Sequence, residues 1–142
     1  MLHQRFGTGR GGLPGNDDSG GLSSWYVWAS LGLFPVAGQG LVLVNAPAFS
    51  RVSVAVGGAD LEIRTTGFVE PVPGGAVQYV QSAEFNGAPL VSSAISAAEL
   101  HRGGELTLHL GPEPSEWATA PEHRPPSHPA RPAATTTSTT QP

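Results

Sequence analysis

The sequence predicts a mainly β protein with one or two helices, an antiparallel sandwich or the C-terminal half of one, and three observations carry that prediction. Apolar residues alternate with small or polar ones in several short runs, as at Val52, Val54 and Val56 and again at Leu61 and Ile63. Turn signals such as Gly57-Gly58 and Asn86-Gly87 separate those runs, and such pairs tolerate the positive φ angles of tight hairpins. Only one stretch, residues 23–34, spaces its apolar residues as a helix does, with Trp25, Trp28, Ala29 and Leu33 near one face.

Taken in order, the chain opens with a glycine-rich segment, residues 7–21, that has no helical or strand periodicity. Residues 23–34 follow as a short buried helix whose first turn Ser23 or Ser24 can cap; Gly32 weakens its end and Pro35 stops it. The alternating period then begins: residues 40–49 read as a strand, residues 50–67 as a hairpin turning at Gly57-Gly58, and residues 76–90 as a strand ending at Asn86-Gly87. Residues 92–100 are a short helix or a turn, and residues 103–112 are a last strand. From about Pro112 onward only Trp117 is large and apolar, so a disordered Pro/Thr-rich tail is expected over residues 118–142. That leaves about 110 residues for folding.

Composition narrows the function classes. Seven Lys and Arg, scattered singly within a net charge of -4, give no basic stripe to neutralise phosphates, so nucleic acid is not an expected partner. No apolar run reaches the roughly 18 residues of a membrane span, so a membrane is not expected either. With no cysteine, a disulfide framework and a thiolate metal site are both excluded. The first residues lack the apolar core of a signal peptide.

The chemistry concentrates in residues 12–28, GLPGNDDSGGLSSWYVW, where Asp17 and Asp18 are adjacent in a glycine loop before the aromatic helix. One reading places both carboxylates at a helix start, where the free N–H groups favour negative charge. Against it, both acids sit several residues before the helix, and Gly15, Gly20 and Gly21 flank them as if the backbone bent around a ligand. A self-contained hard-cation site lacks the acidic spacing and closing Glu of a calcium loop. A third reading is acid/base work on a sugar, with a carboxylate taking a proton from an attacking water. His3, His101 and His109 have no ligand spacing and read as structural or exposed.

Longer strings decide among these. Residues 12–36, GLPGNDDSGGLSSWYVWASLGLFPV, closely resemble a segment of glycoside hydrolase family 92, the calcium-dependent exo-acting α-mannosidases, that reads G-L-P-G-N-D/E-D-x-G-x-M-S-x-W-Y-V. VNAPAFSRVSVAV, YVQSAEFNGAPL and AAELHRGGELTLHLGPEPSEW resemble three further blocks of that family in the same order, so the resemblance runs from residue 2 to about residue 117. It implies an inverting hydrolase built from a β-sandwich and an (α/α)6 toroid, removing terminal α-linked mannose from N-glycans or mannans with calcium as cofactor. The position matching the family's general base is Asp18, with Asp17 beside it; Asn16 stands where a second, water-assisting Asp is frequent. Ser19, Leu22 and Phe34 replace the more usual Cys, Met and Tyr.

On this reading the chain is a C-terminal fragment of such an enzyme. Residues 1–36 end the toroid with the base loop and helix, residues 37–117 form the antiparallel β region, and residues 118–142 are the tail. Mannose-containing glycans and the missing N-terminal part of the enzyme are the implied partners. The general acid and most calcium ligands are expected in that missing part, since Glu62, Glu70, Glu84, Glu99 and Glu105 match no catalytic position. The fragment alone is therefore expected to be inactive, and the family implies a secreted or periplasmic setting. The alternative is a non-catalytic β-sandwich module that binds carbohydrate or another partner, or a vestigial fragment.

Overall fold

The computed structural model describes residues 2–127. A one-turn helix, α1 (Leu2–Arg5), and a loop lead into α2 (Gly21–Ser30). Strands β1 (Leu33–Pro35), β2 (Leu41–Val44), β3 (Arg51–Val56), β4 (Ala59–Thr66), β5 (Tyr79–Phe85), β6 (Ala88–Pro89) and β7 (Ala94–Ser96) follow. Helix α3 (Ala97–Leu100) and strand β8 (Gly104–Gly111) come next, then a 3-10 turn at Pro121–His123. The tail expected over residues 118–142 lies outside the described residues from residue 128 onward.

The strands form two sheets, one ordered β1-β2-β7 and one ordered β3-β4-β8-β5-β6. Alternation sets which side chains meet. In β8, Leu106, Leu108 and Leu110 point inward while Glu105, Thr107 and His109 point out. With Leu61 and Ile63 of β4 they meet Leu33, Val42, Val44 and Ile95 of the smaller sheet in one buried cluster. Both expected hairpin turns are present: Gly57-Gly58 joins β3 to β4 and Asn86-Gly87 joins β5 to β6, all four residues with positive φ. Trp117 packs on the same core and donates its indole Nε1–H to the Leu90 carbonyl at 2.7 Å.

Three expectations need correction. The strands are not all antiparallel: β8 inserts between β4 and β5 and runs parallel to β4, pairing Leu61 with Gly104 and Thr66 with His109. The long connection through β5, β6, β7 and α3 is what permits a parallel neighbour. The helix ends at Ser30 rather than Phe34, because Gly32 adopts φ 73° and breaks it; Pro35 lies in an edge strand, where its missing N–H costs no ladder bond. Nor is the helix buried, since Ser30 is its single buried residue.

Instead α2 is docked by its C-terminal end. The Ser30 and Gly32 carbonyls, left free by the helix, accept from the Ala48 N–H at 2.9 Å and the Asn45 N–H at 2.7 Å. Trp28 and Leu31 pack against the core there. A Cβ on Gly32 would fall 2.5 Å from the Asn45 carbonyl oxygen, so the junction admits no side chain. From that junction α2 runs back along β1, with Gly21, Ser24 and Trp25 lining a cleft with Phe34 and Pro35.

Two substitutions test this architecture. Leu108, fully buried in β8, should lose about 2–5 kcal/mol of stability in urea unfolding when replaced by Ala. Gly32→Ala should destabilise by more than about 1 kcal/mol in the same measurement, through both the positive φ and the contact with Asn45.

Candidate active site

Residues 7–20 cross the exposed side of α2. Phe6 anchors them, its ring 5.6 Å from that of Trp25 and 4.9 Å from that of Tyr26. The Gly7 N–H then donates to the Gly12 carbonyl at 2.9 Å and closes the first part of the loop. Phe6, Leu13, Ser23, Tyr26 and Val27 line an open groove between this loop and the helix.

The chain enters α2 through a left-handed turn. Asp18, Ser19 and Gly20 have φ values of 43°, 63° and 88°, a run that disfavours side chains at its first two positions. This turn folds the backbone back so that Asp17 sits beneath the helix N-terminus. Its main-chain carbonyl accepts from the Gly21 N–H at 2.5 Å and, longer, from the Leu22 N–H at 3.4 Å. Its carboxylate accepts from the Ser23 N–H at 2.8 Å and from the Ser23 hydroxyl at 2.7 Å. Gly20, at the cap position itself, has no side chain to offer. Asp17 thus supplies acceptors for the first three N–H groups of the helix.

That geometry separates the two adjacent carboxylates. Asp17 is the helix-start charge, which the count of residues before the helix argued against; the expected caps, Ser23 and Ser24, do not fill that role. Ser23 is instead the donor partner of Asp17, and the Ser24 N–H makes the first bond of the helix ladder, to the Gly20 carbonyl at 2.8 Å. The main-chain bond from Ser23, then the hydroxyl, holds the Asp17 carboxyl below its ordinary value of 3.8. Asp18 sits at the apex of the turn, exposed, and takes no part in the ion pairs among the described residues. Asn16 is exposed in the preceding loop.

Elsewhere the acids have structural partners. On the outer face of the larger sheet Glu62 bonds Arg51 and Arg64, and Arg64 bonds Glu105 at 2.9 Å. His109 shares a 2.7 Å hydrogen bond with Thr66. Among the described residues no three His, Asp or Glu side chains come close enough to hold a metal ion, and both Asp17 oxygens are engaged by Ser23. By themselves these residues do not fit a calcium site. No helix among the described residues is long and apolar enough to cross a membrane.

The profile of the glycosyl hydrolase family 92 catalytic domain matches residues 1–112. An uncharacterized secreted glycosidase of Arthroderma benhamiae is 37% identical over 128 residues, 89% of this chain and 16% of its own. A family 92 α-mannosidase of Bacteroides thetaiotaomicron, solved in complex with mannoimidazole, superposes with a TM-score of 0.78. Its sequence is 24% identical over 89% of this chain and 16% of that one, a likeness of fold. A family 92 inverting mannosidase of the same species gives a TM-score of 0.72 at 25% identity, over 87% of this chain and 17% of its own. The chain spans no more than 17% of the length of any of these three relatives.

The Asp17 clamp has a pH signature. Because the folded carboxyl ionises below its ordinary value, the clamp stabilises the helix start fully above about pH 4 and loses that effect as the pH falls through the lower folded value. Amide exchange of Ser23, followed by NMR, should stay slow through pH 4 and accelerate only at lower pH. In Asp17→Ala it should be fast throughout.

Proposed function

The chain belongs to glycosyl hydrolase family 92, and on that premise we propose that it supplies the general-base loop of an inverting, calcium-dependent α-mannosidase acting on terminal α-linked mannose of N-glycans or mannans. The observation that carries this reading is the turn at residues 18–20: one carboxylate is tied down as a cap, so the next is presented to solvent on a backbone that non-glycine residues seldom adopt. Strained positions of this kind concentrate at functional sites, where surrounding bonds hold them in place.

In the proposed reaction a water attacks the anomeric carbon of the mannoside while Asp18 accepts one of its protons. The new C–O bond forms on the face opposite the leaving group, the glycosidic C–O bond breaks, and an acid protonates the departing oxygen. In inverting enzymes that acid lies roughly 6.5–9.5 Å from the base, leaving room for the water. Glu62 and Glu105 are held in ion pairs on the larger sheet, which supports assigning the acid to the part of the domain outside this chain. Asn16 can hold a water but adds no negative charge beside Asp18. Asp17, the neighbour of the base by resemblance, acts on this reading as a support and not as a proton acceptor. The calcium ion is likewise assigned to residues outside this chain, and its chemistry is to bind and polarise sugar hydroxyls. A secreted or periplasmic setting fits the secreted relative.

The reading is tested in a complete family 92 domain ending in this segment. Asp18→Asn should lower kcat for an α-mannoside by about 10²- to 10⁴-fold, and NMR of the first sugar released by the unaltered domain should show inverted anomeric configuration. The 142-residue chain alone should give no turnover. Retained activity in Asp18→Asn would contradict the assignment, and Asp18-dependent turnover by the isolated chain would contradict the division of the site.

A further inference from the structure

We propose that Ser23 is a positioning residue for the hydrolytic base, acting through Asp17 on Asp18. The inference rests on the assignment of Asp18 given above. Ser23 is the third residue of α2, and both of its donors, the main-chain N–H and the hydroxyl, meet the two oxygens of one carboxylate at 2.8 and 2.7 Å. Such a two-point contact fixes the rotation of the Asp17 side chain as well as its position, which one hydrogen bond does not. With Asp17 held at its carboxylate by Ser23 and at its carbonyl by Gly21, the three residues between them have little freedom. The left-handed conformation of Asp18 and Ser19 is imposed from both ends.

The helix cap by itself needs less than this. The Ser23 N–H would satisfy it without the hydroxyl, and residues with no hydroxyl form helix interiors as well as serine does or better. The side-chain bond is thus an addition whose effect falls on the turn. Ser23 also lines the groove between the loop and α2, on the same side as Phe6 and Tyr26, so the loop and its clamp share one exposed surface. Loss of the hydroxyl leaves Asp17 able to rotate about a single bond and lets the Asp18 carboxylate move relative to the bound sugar. A displacement of that kind lowers the rate of the chemical step without weakening substrate binding.

The test compares Ser23→Ala, Ser23→Thr and Asp18→Asn in the complete domain, with kcat and KM measured separately on an α-mannoside. Ser23→Ala should lower kcat by about 10- to 100-fold with KM changed less than about twofold, and Ser23→Thr, which restores a hydroxyl, should recover most of the loss. Amide exchange of Ser23 in the 142-residue chain gives a reading independent of activity, and in Ser23→Ala residue 23 should remain protected, because its N–H bond to Asp17 survives. If Ser23→Ala keeps kcat within twofold of the parent, or if Thr fails to restore it, the positioning role is overturned. Asp18→Asn separates that failure from failure of the underlying reading: an inactive Asp18→Asn beside a normal Ser23→Ala removes only the role of Ser23, whereas an active Asp18→Asn removes the base assignment itself.

Discussion

A helix that begins in solvent must find acceptors for its first N–H groups, and in this protein one residue provides them. Asp17 offers its carbonyl to Gly21 and Leu22 and its carboxylate to Ser23, from a position three residues before the cap. It reaches there because Asp18, Ser19 and Gly20 turn left-handed. The exposure of Asp18, the conformation of the loop and the position of the helix start all follow from that one set of bonds. The sheets contribute at the other end of α2, where Asn45 and Ala48 take up the last carbonyls.

The two-sheet body carries this device. Its centre is β8, whose inward leucines are shielded by β4 and β5 on either side and by the smaller sheet above. Its outer face is finished with charges, Arg51, Glu62, Arg64 and Glu105, paired across neighbouring strands. These acids are therefore engaged in holding the sheet surface, which is consistent with catalysis drawing on the loop instead. The aromatic groups divide in the same way: Trp28 belongs to the core, whereas Trp25 and Tyr26 meet Phe6 on the exposed side.

What could be read from the sequence depended on how local the cause was. The alternation of Val52, Val54 and Val56 and the turns at Gly57-Gly58 and Asn86-Gly87 are set by neighbours within a few residues, and they are present as expected. The insertion of β8 beside β4 is decided by partners some forty residues apart, and no local pattern encodes it. From sequence Gly32 reads as a weak helix residue, whereas its φ of 73° and its close approach to Asn45 make it the terminator. At the site, residues 16–18 are singled out in the sequence by their resemblance to family 92. The different settings of Asp17 and Asp18 are not legible there, since they hang on a left-handed turn at two residues that are not glycine, and by linear count Asp17 stands too far from the helix to cap it. The part played by Ser23 was hidden for the same reason: a serine at a helix start suggests an acceptor, and here it is a donor.

A crossed comparison of Asp17→Asn and Asp18→Asn distinguishes the tasks of the two neighbouring carboxylates. For each variant of the complete domain one measures the acidic limb of the kcat/KM–pH profile for an α-mannoside and the amide exchange of Ser23. Asp18→Asn should abolish the acidic limb and leave Ser23 protected, while Asp17→Asn should speed Ser23 exchange and lower kcat with the limb still present. Loss of the limb in Asp17→Asn, with Ser23 protection unchanged, would instead place the base at Asp17.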